Sequence, residues 1–154
     1  MNISEPVPNF SATSDNGEII SLEKLRGEWV ILYFYPKDSS LGCSIEAQRF
    51  EQSLPEFVKR NARVIGVSTG SSASQTKFRE KCNLTFPLLP DTDKSIAKAY
   101  GVINGFMALL GNADRQTFLI DPNGNLAHHW KFVNPLSHAT EVLQILEKQQ
   151  TAIA

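Results

Sequence analysis

The stretch Trp29-Val30-Ile31-Leu32-Tyr33-Phe34-Tyr35 constrains this chain more than any other. Every residue in it is apolar or aromatic, with no polar alternation. A strand of this kind has two faces to bury, so it belongs in the middle of a sheet covered on both sides. That excludes a sheet with one wet face and a simple helical bundle. The run is also far too short to cross a bilayer as a helix. With 154 residues, the chain is long enough to supply a cover on each face.

The flanking sequence supplies those covers. Phe10–Thr13 and Glu18–Ile20 flank Asp15-Asn16-Gly17, the pattern of a small N-terminal hairpin. Ser21 is placed to cap a short helix over Leu22–Leu25. From Leu41 to Arg60 the period becomes helical, with Cys43, Ala47, Phe50, Leu54 and Phe57 on one face. Pro55 falls inside that stretch, where it should kink or end the helix. A strand follows over Arg63–Ser68, a helix over Ser72–Lys81 ended near Asn83, and a short strand over Phe86–Leu89. Asp93 is placed to cap a helix through Tyr100. Gln116–Ile120 and Asn125–Trp130 flank the turn Asp121-Pro122-Asn123-Gly124, and a last helix runs from Leu136 to Lys148. Alternating βαβ units, then an antiparallel pair and a helix, describe an α/β fold with a mixed central sheet between helices. No linker or repeat divides residues 1–154, so one domain is expected.

The formal net charge is −1, and no basic stripe stands out. This argues against nucleic acid or an anionic membrane as the main partner. The N-terminus has no basic region followed by an apolar run, so it is not a secretory signal. The cytoplasm is expected, though a processed organellar form would read the same. Two cysteines, Cys43 and Cys82, are too few for a disulfide framework and are expected to be free thiols. Adjacent His128 and His129 on a strand face opposite sides and make a poor metal pair. His138, near a helix start, reads as a surface residue, and Asp91-Thr92-Asp93 reads as a turn and cap. No metal or cofactor site is expected.

Cys43 stands apart by position. It follows a buried strand, a loop holding Pro36, and two serines. With Ser40 as N-cap, Cys43 is the third residue of the helix. First-turn N–H groups lack partners within the helix, and with the helix dipole they stabilise a negative sulfur. The same spacing also suits a cysteine that is only a small buried hydrophobe, and spacing alone leaves both readings open.

The run Pro36-Lys37-Asp38-Ser39-Ser40-Leu41-Gly42-Cys43 resembles the peroxiredoxin pattern of Pro, three residues, Thr or Ser, two residues, Cys. Tyr33-Phe34-Tyr35-Pro36-Lys37-Asp38, then Gly42-Cys43-Ser44 and Glu46-Ala47, are similar to the peroxiredoxin Q or bacterioferritin comigratory protein subfamily. Ordered matches continue through Pro8-Asn9-Phe10, Gly66-Val67-Ser68, Phe86-Pro87-Leu88-Leu89, Tyr100-Gly101-Val102 and Arg115-Gln116-Thr117-Phe118-Leu119-Ile120-Asp121. The resemblance implies a thioredoxin-like fold with an N-terminal hairpin extension. It implies a thiol-dependent peroxidase that reduces hydrogen peroxide and organic hydroperoxides and passes through a sulfenic acid. It casts Cys43 as the peroxidatic cysteine, Ser40 as the hydroxyl that bonds the peroxide, and Pro36 as the shield of the thiolate. Arg115 takes the part of the arginine that keeps the sulfur ionised, with Glu46 behind it. The implied partners are a peroxide and thioredoxin or another thiol reductant, for a monomer or weak homodimer without cofactor.

The chain departs from the subfamily in two places. Many members have a resolving cysteine five residues after the peroxidatic one, where this chain has Gln48. Leu41 replaces a proline of the active-site loop. Cys82 is then the one internal candidate to resolve the sulfenic acid, against a one-cysteine cycle completed by an outside thiol. Other classes are weaker. Gly66-Val67-Ser68-Thr69-Gly70, with Asp121 and His138 in order, matches a serine-hydrolase elbow without the strands that normally precede it. A thiol-disulfide oxidoreductase would need Cys-x-x-Cys, but Ser40 and Glu46 occupy that spacing from Cys43. A non-catalytic binding module would share the fold and leave Cys43 inert to peroxide.

Overall fold

The computed structural model describes residues 1–38 and 40–153. A small hairpin of β1 (Ser11–Thr13) and β2 (Ile19–Ser21) stands apart from the main sheet. The main sheet is built from β3 (Trp29–Phe34), β4 (Ala62–Ser68), β5 (Leu88–Pro90), β6 (Gln116–Ile120) and β7 (Leu126–Trp130), in the order β5-β4-β3-β6-β7. The first three run parallel, and β6 and β7 are antiparallel additions. Among the described residues four α-helices accompany them: α1 (Leu41–Lys59), α2 (Ser72–Cys82), α3 (Ser95–Ala99) and α4 (His138–Ile153).

All six residues of β3 are buried, as its unbroken apolar run requires. Trp29, Ile31 and Tyr33 point into a core shared with Phe50 and Phe57 of α1, Phe78 of α2, and Val142 and Leu146 of α4. Val30, Leu32 and Phe34 point the other way, into a core closed by Ile20 of the hairpin, Ile96 and Ala97 of α3, and Tyr100. Period-two alternation on one strand thus feeds two separate cores.

Several expected boundaries shift, each for a local reason. Pro55 lies inside α1 and does not end it. The helix face on both sides of Pro55 is committed to the core through Phe50 and Phe57, which outweighs one lost backbone bond. The turn at Glu23–Leu25 is a 3₁₀ helix starting from Leu22, and the Ser21 hydroxyl does not cap it. The strand expected from Phe86 begins at Leu88, after Pro87, which has no N–H to give a ladder. Asp93 accepts only from the Ser95 N–H, 3.1 Å, while Asp91 caps α3 through Ile96 (3.1 Å) and Ala97 (2.8 Å). Lys94, immediately before the helix, adopts a left-handed conformation, φ 63°, which turns the chain so that Asp91 faces the helix start. The last helix starts at His138 and continues past Lys148 to Ile153.

Candidate active site

The site forms where β3 hands over to α1. Tyr35 and Pro36 are buried beyond the strand end, and Ser40 turns the chain into the helix with extended backbone, φ −74°, ψ 152°. Its hydroxyl accepts the Cys43 N–H at 3.2 Å, the capping bond expected from sequence. Its carbonyl accepts from both the N–H and the hydroxyl of Ser44, each at 3.0 Å. Cys43 is thereby fixed in the first turn, and it is 1% exposed.

Arg115 reaches the same point from the other chain direction. β6 runs antiparallel to β3, with Gln116 paired to Phe34. Arg115, one residue earlier, therefore lies at the end of the sheet where the chain leaves β3 for the Cys43 loop. Its Nη2 donates to Cys43 Sγ at 3.2 Å, and its Nη1 donates to Glu46 Oε1 at 2.7 Å. A Cβ on Gly42 would stand 3.3 Å from Nη2 and 3.7 Å from Pro135 Cγ, so the absent side chain leaves room for the guanidinium.

Glu46 is 0% exposed, and its Oε2 has no hydrogen-bond partner among the described residues. Burial pushes its carboxyl up to about 7, against the opposing pull of Arg115. Burial works against the Arg115 charge too, but Glu46 and the Cys43 sulfur outweigh it and hold the guanidinium above its ordinary value. A permanent cation clamped between a carboxyl and a sulfur is a built-in stabiliser for a thiolate and for negative charge developing beside it.

The second cysteine sits elsewhere. Cys82 is the last residue of α2, 6% exposed, in the same core as Cys43, and both thiols are free. Arg79, one turn earlier, braces this helix end. Its guanidinium bonds both Asp15 carboxylate oxygens (2.6 and 2.7 Å) and the Leu84 and Phe86 carbonyls (2.8 Å each). Gln48 points outward from α1.

The residues of the hydrolase-like pattern are not assembled. Ser68 is 1% exposed, and its Oγ donates to Asp38 at 2.8 Å. Asp121 accepts the Asn123 and Asn125 N–H groups of its own turn, 2.9 Å each. His138 Nε2 lies 2.7 Å from Thr117 Oγ1. The expectation of a surface His138 is wrong: the residue is 0% exposed, edge-on to Phe50 and Trp130. α4 lies against α1 and turns its first residue inward. Burial, then the nearby Arg115 charge, lowers His138 to about 4. His129 stacks on Phe118 with ring centroids 4.1 Å apart and is 2.8 Å from Gln116 Oε1. Among the described residues no His, Cys, Asp or Glu cluster is suited to a metal.

Asp38 is the residue whose importance the sequence concealed. It lies inside the matched run, yet its surroundings come from residues far along the chain. Its carboxylate is buried and accepts from Tyr35, Ser68 and Ser74.

The chain as a whole is similar to known proteins. Residues 3–129 match the model of the AhpC/TSA family. "Peroxiredoxin Bcp" of Bacillus subtilis is 37% identical over 150 residues, 96% of each chain. A crystal structure of a PrxQ mutant from Xylella fastidiosa superposes with TM-score 0.90 at 35% identity, covering 97% of this chain and 98% of that one. The bacterioferritin comigratory protein of Xanthomonas campestris, studied for alkyl peroxide reduction, superposes with TM-score 0.87 at 32% identity, covering 96% and 99%.

Proposed function

The chain belongs to the AhpC/TSA family and is a peroxiredoxin, a thiol-dependent peroxidase of thioredoxin-like fold, and we propose that Cys43 is its peroxide-reducing atom. The observation that carries this assignment is the Arg115 guanidinium, shared between Cys43 Sγ and Glu46.

The reaction follows from the groups around the sulfur. The Cys43 thiolate attacks one peroxide oxygen, forming an S–O bond as the O–O bond breaks. Sulfur loses two electrons and the peroxide gains them. The departing oxygen leaves as hydroxide or alkoxide and takes up a proton, and Cys43 becomes a sulfenic acid. Charge moves from sulfur toward the departing oxygen as the bond breaks. Arg115 is placed to follow that charge, which favours the transition state over the bound peroxide. The Ser40 hydroxyl is placed to bond a peroxide beside the sulfur, Pro36 shields the thiolate, and Glu46 aims the guanidinium. Leu41 and Pro135 give the rim an apolar side that suits organic hydroperoxides as well as hydrogen peroxide.

A thiol reductant must return the sulfur to its starting state. We propose an outside thiol, of the thioredoxin kind or smaller, and not Cys82. Gln48 stands where many relatives have a cysteine, and Arg79 ties the end of α2 in place with four short hydrogen bonds. Free thiols at both positions suit a reducing compartment such as the cytoplasm, and a monomer or weak dimer suffices for this cycle. The test is Cys82→Ser. Peroxide turnover with an outside thiol in excess should stay within about twofold of wild type, as expected for a residue outside the reaction. Loss of turnover, with the first oxidation of Cys43 intact, would make Cys82 the resolving cysteine.

A further inference from the structure

The sulfenic acid on Cys43 presents a problem of access. Cys43 is 1% exposed, so a partner larger than a small peroxide, such as a second thiol, reaches the sulfur only if the loop moves. Something must hold the loop closed for the first step and release it for the next.

The loop is tied down at Asp38. Oδ1 accepts from Tyr35 Oη and Ser68 Oγ, both at 2.8 Å, and Oδ2 accepts from Ser74 Oγ at 2.7 Å. One carboxylate on the active-site loop thus joins the end of β3, the end of β4 and the first turn of α2. The partners are committed to it. Ser68 Oγ accepts from Gln75 Nε2 (3.0 Å) and the Gly70 N–H (3.3 Å), so its own proton is directed at Asp38. Gln75 Nε2 in turn holds the Leu89 carbonyl at 2.8 Å. Gly70 has to be glycine, because a Cβ there would collide with Asp38 Oδ2. Tyr35 also rests against Phe78 of α2, with ring centroids 5.5 Å apart. A cleft of about 360 Å³ between Asp38, Ser74, Lys77 and Lys81 borders this junction, so the loop can part from α2 without opening the sheet.

We propose that Asp38 is a positioning residue that latches the Cys43 loop to α2, and that breaking the Asp38–Ser74 arm is the step that exposes the oxidised sulfur to a reductant. The inference rests on Cys43 being the oxidised atom. Two fates compete for the sulfenic acid. In the closed loop a second peroxide adds an oxygen, giving a sulfinic acid while that peroxide is reduced. In the open loop a thiolate attacks the sulfur and displaces hydroxide, giving a disulfide. The latch sets the ratio of the two, because each path draws on a different member of one conformational equilibrium.

The experiment measures sulfinic acid formed per reductant-consuming turnover, by intact mass, at fixed outside thiol and rising peroxide. Ser74→Ala removes only the α2 arm. It should lower that ratio roughly tenfold, the factor expected for one hydrogen bond to a charged group. The rate of the first Cys43 oxidation should change little. Asp38→Asn removes the charge from all three contacts and should lower the ratio further and slow the first oxidation as well. Melting temperature is recorded for both. A purely structural role predicts lower melting temperatures with an unchanged ratio, and that result in Ser74→Ala overturns the proposal even if Asp38→Asn does not fold. A wild-type Cys43 inert to peroxide overturns it at its premise and is recognised before any variant is compared.

Discussion

Replacing Arg115 with alanine separates the chemical duty of this residue from its structural one. The side chain holds Cys43 Sγ at 3.2 Å and Glu46 Oε1 at 2.7 Å. Loss of a donor aimed at developing charge costs about 100- to 1,000-fold in rate, equivalent to about 2.7–4 kcal/mol. The same substitution strips a fully buried carboxyl of its partner, and Glu46 Oε2 already has none among the described residues. Breaking a buried pair costs about 3–5 kcal/mol when the remaining group stays charged. Glu46 can limit that cost by taking a proton, since burial already holds it near 7. The double variant Arg115→Ala/Glu46→Gln therefore recovers much of the stability, because no charge is left unpaired. It does not recover the rate, because nothing replaces the guanidinium beside the sulfur. Stopped-flow fluorescence of the first oxidation gives the rate, and urea unfolding gives the stability. If rate and stability return together in the double variant, Arg115 is only a prop and the catalytic reasoning is wrong.

Two further substitutions have clear signs. His138 is neutral when buried, with its pKa lowered to about 4, so its contribution is complete above about pH 6.5 and is lost as the pH falls toward 4, about 3 kcal/mol in all. Glu46, raised to about 7, acts in the opposite sense and stabilises the fold as the pH falls from 7 toward 4.5, by a similar amount. His129, also lowered to about 4 by burial, adds to the loss from His138 on acidification. Wild-type stability should therefore fall between pH 7 and 5, and His138→Gln should fall less steeply; equal slopes in urea unfolding would contradict this. Leu41→Pro should stabilise the protein by about 0.4–1 kcal/mol, since the first helical position suits proline and the N–H there is unpaired in any case. Ser40 already has the extended backbone that a following proline demands, and Leu41 is 78% exposed. A lower melting temperature would count against the capping geometry described for α1.

The features visible in sequence were those carried by neighbours along the chain. The apolar run of β3 announced a two-faced sheet, and the spacing from Cys43 to Phe57 placed the cysteine at a helix start under a Ser40 cap. The features that escaped depend on contacts between distant segments. Arg115 by itself looks like any surface strand residue; only the register that pairs Gln116 with Phe34 brings it to the sulfur, and only the family match pointed to it. The burial of His138 is not legible in sequence, because an amphipathic helix start gives no sign of how α4 seats against α1. Asp38 stands in the motif with nothing local to explain it, since its hydroxyl partners Ser68 and Ser74 lie on other elements. Pro55 shows the converse case, a strong local signal overruled by the burial of Phe50 and Phe57 on either side.

The most direct test of the central claim is the intact mass of the reduced protein after one equivalent of hydrogen peroxide, with no reductant present and the two cysteines mapped by alkylation. The account predicts one added oxygen on Cys43, with Cys82 still a free thiol. An unchanged mass, with Cys43 still open to alkylation, would contradict it.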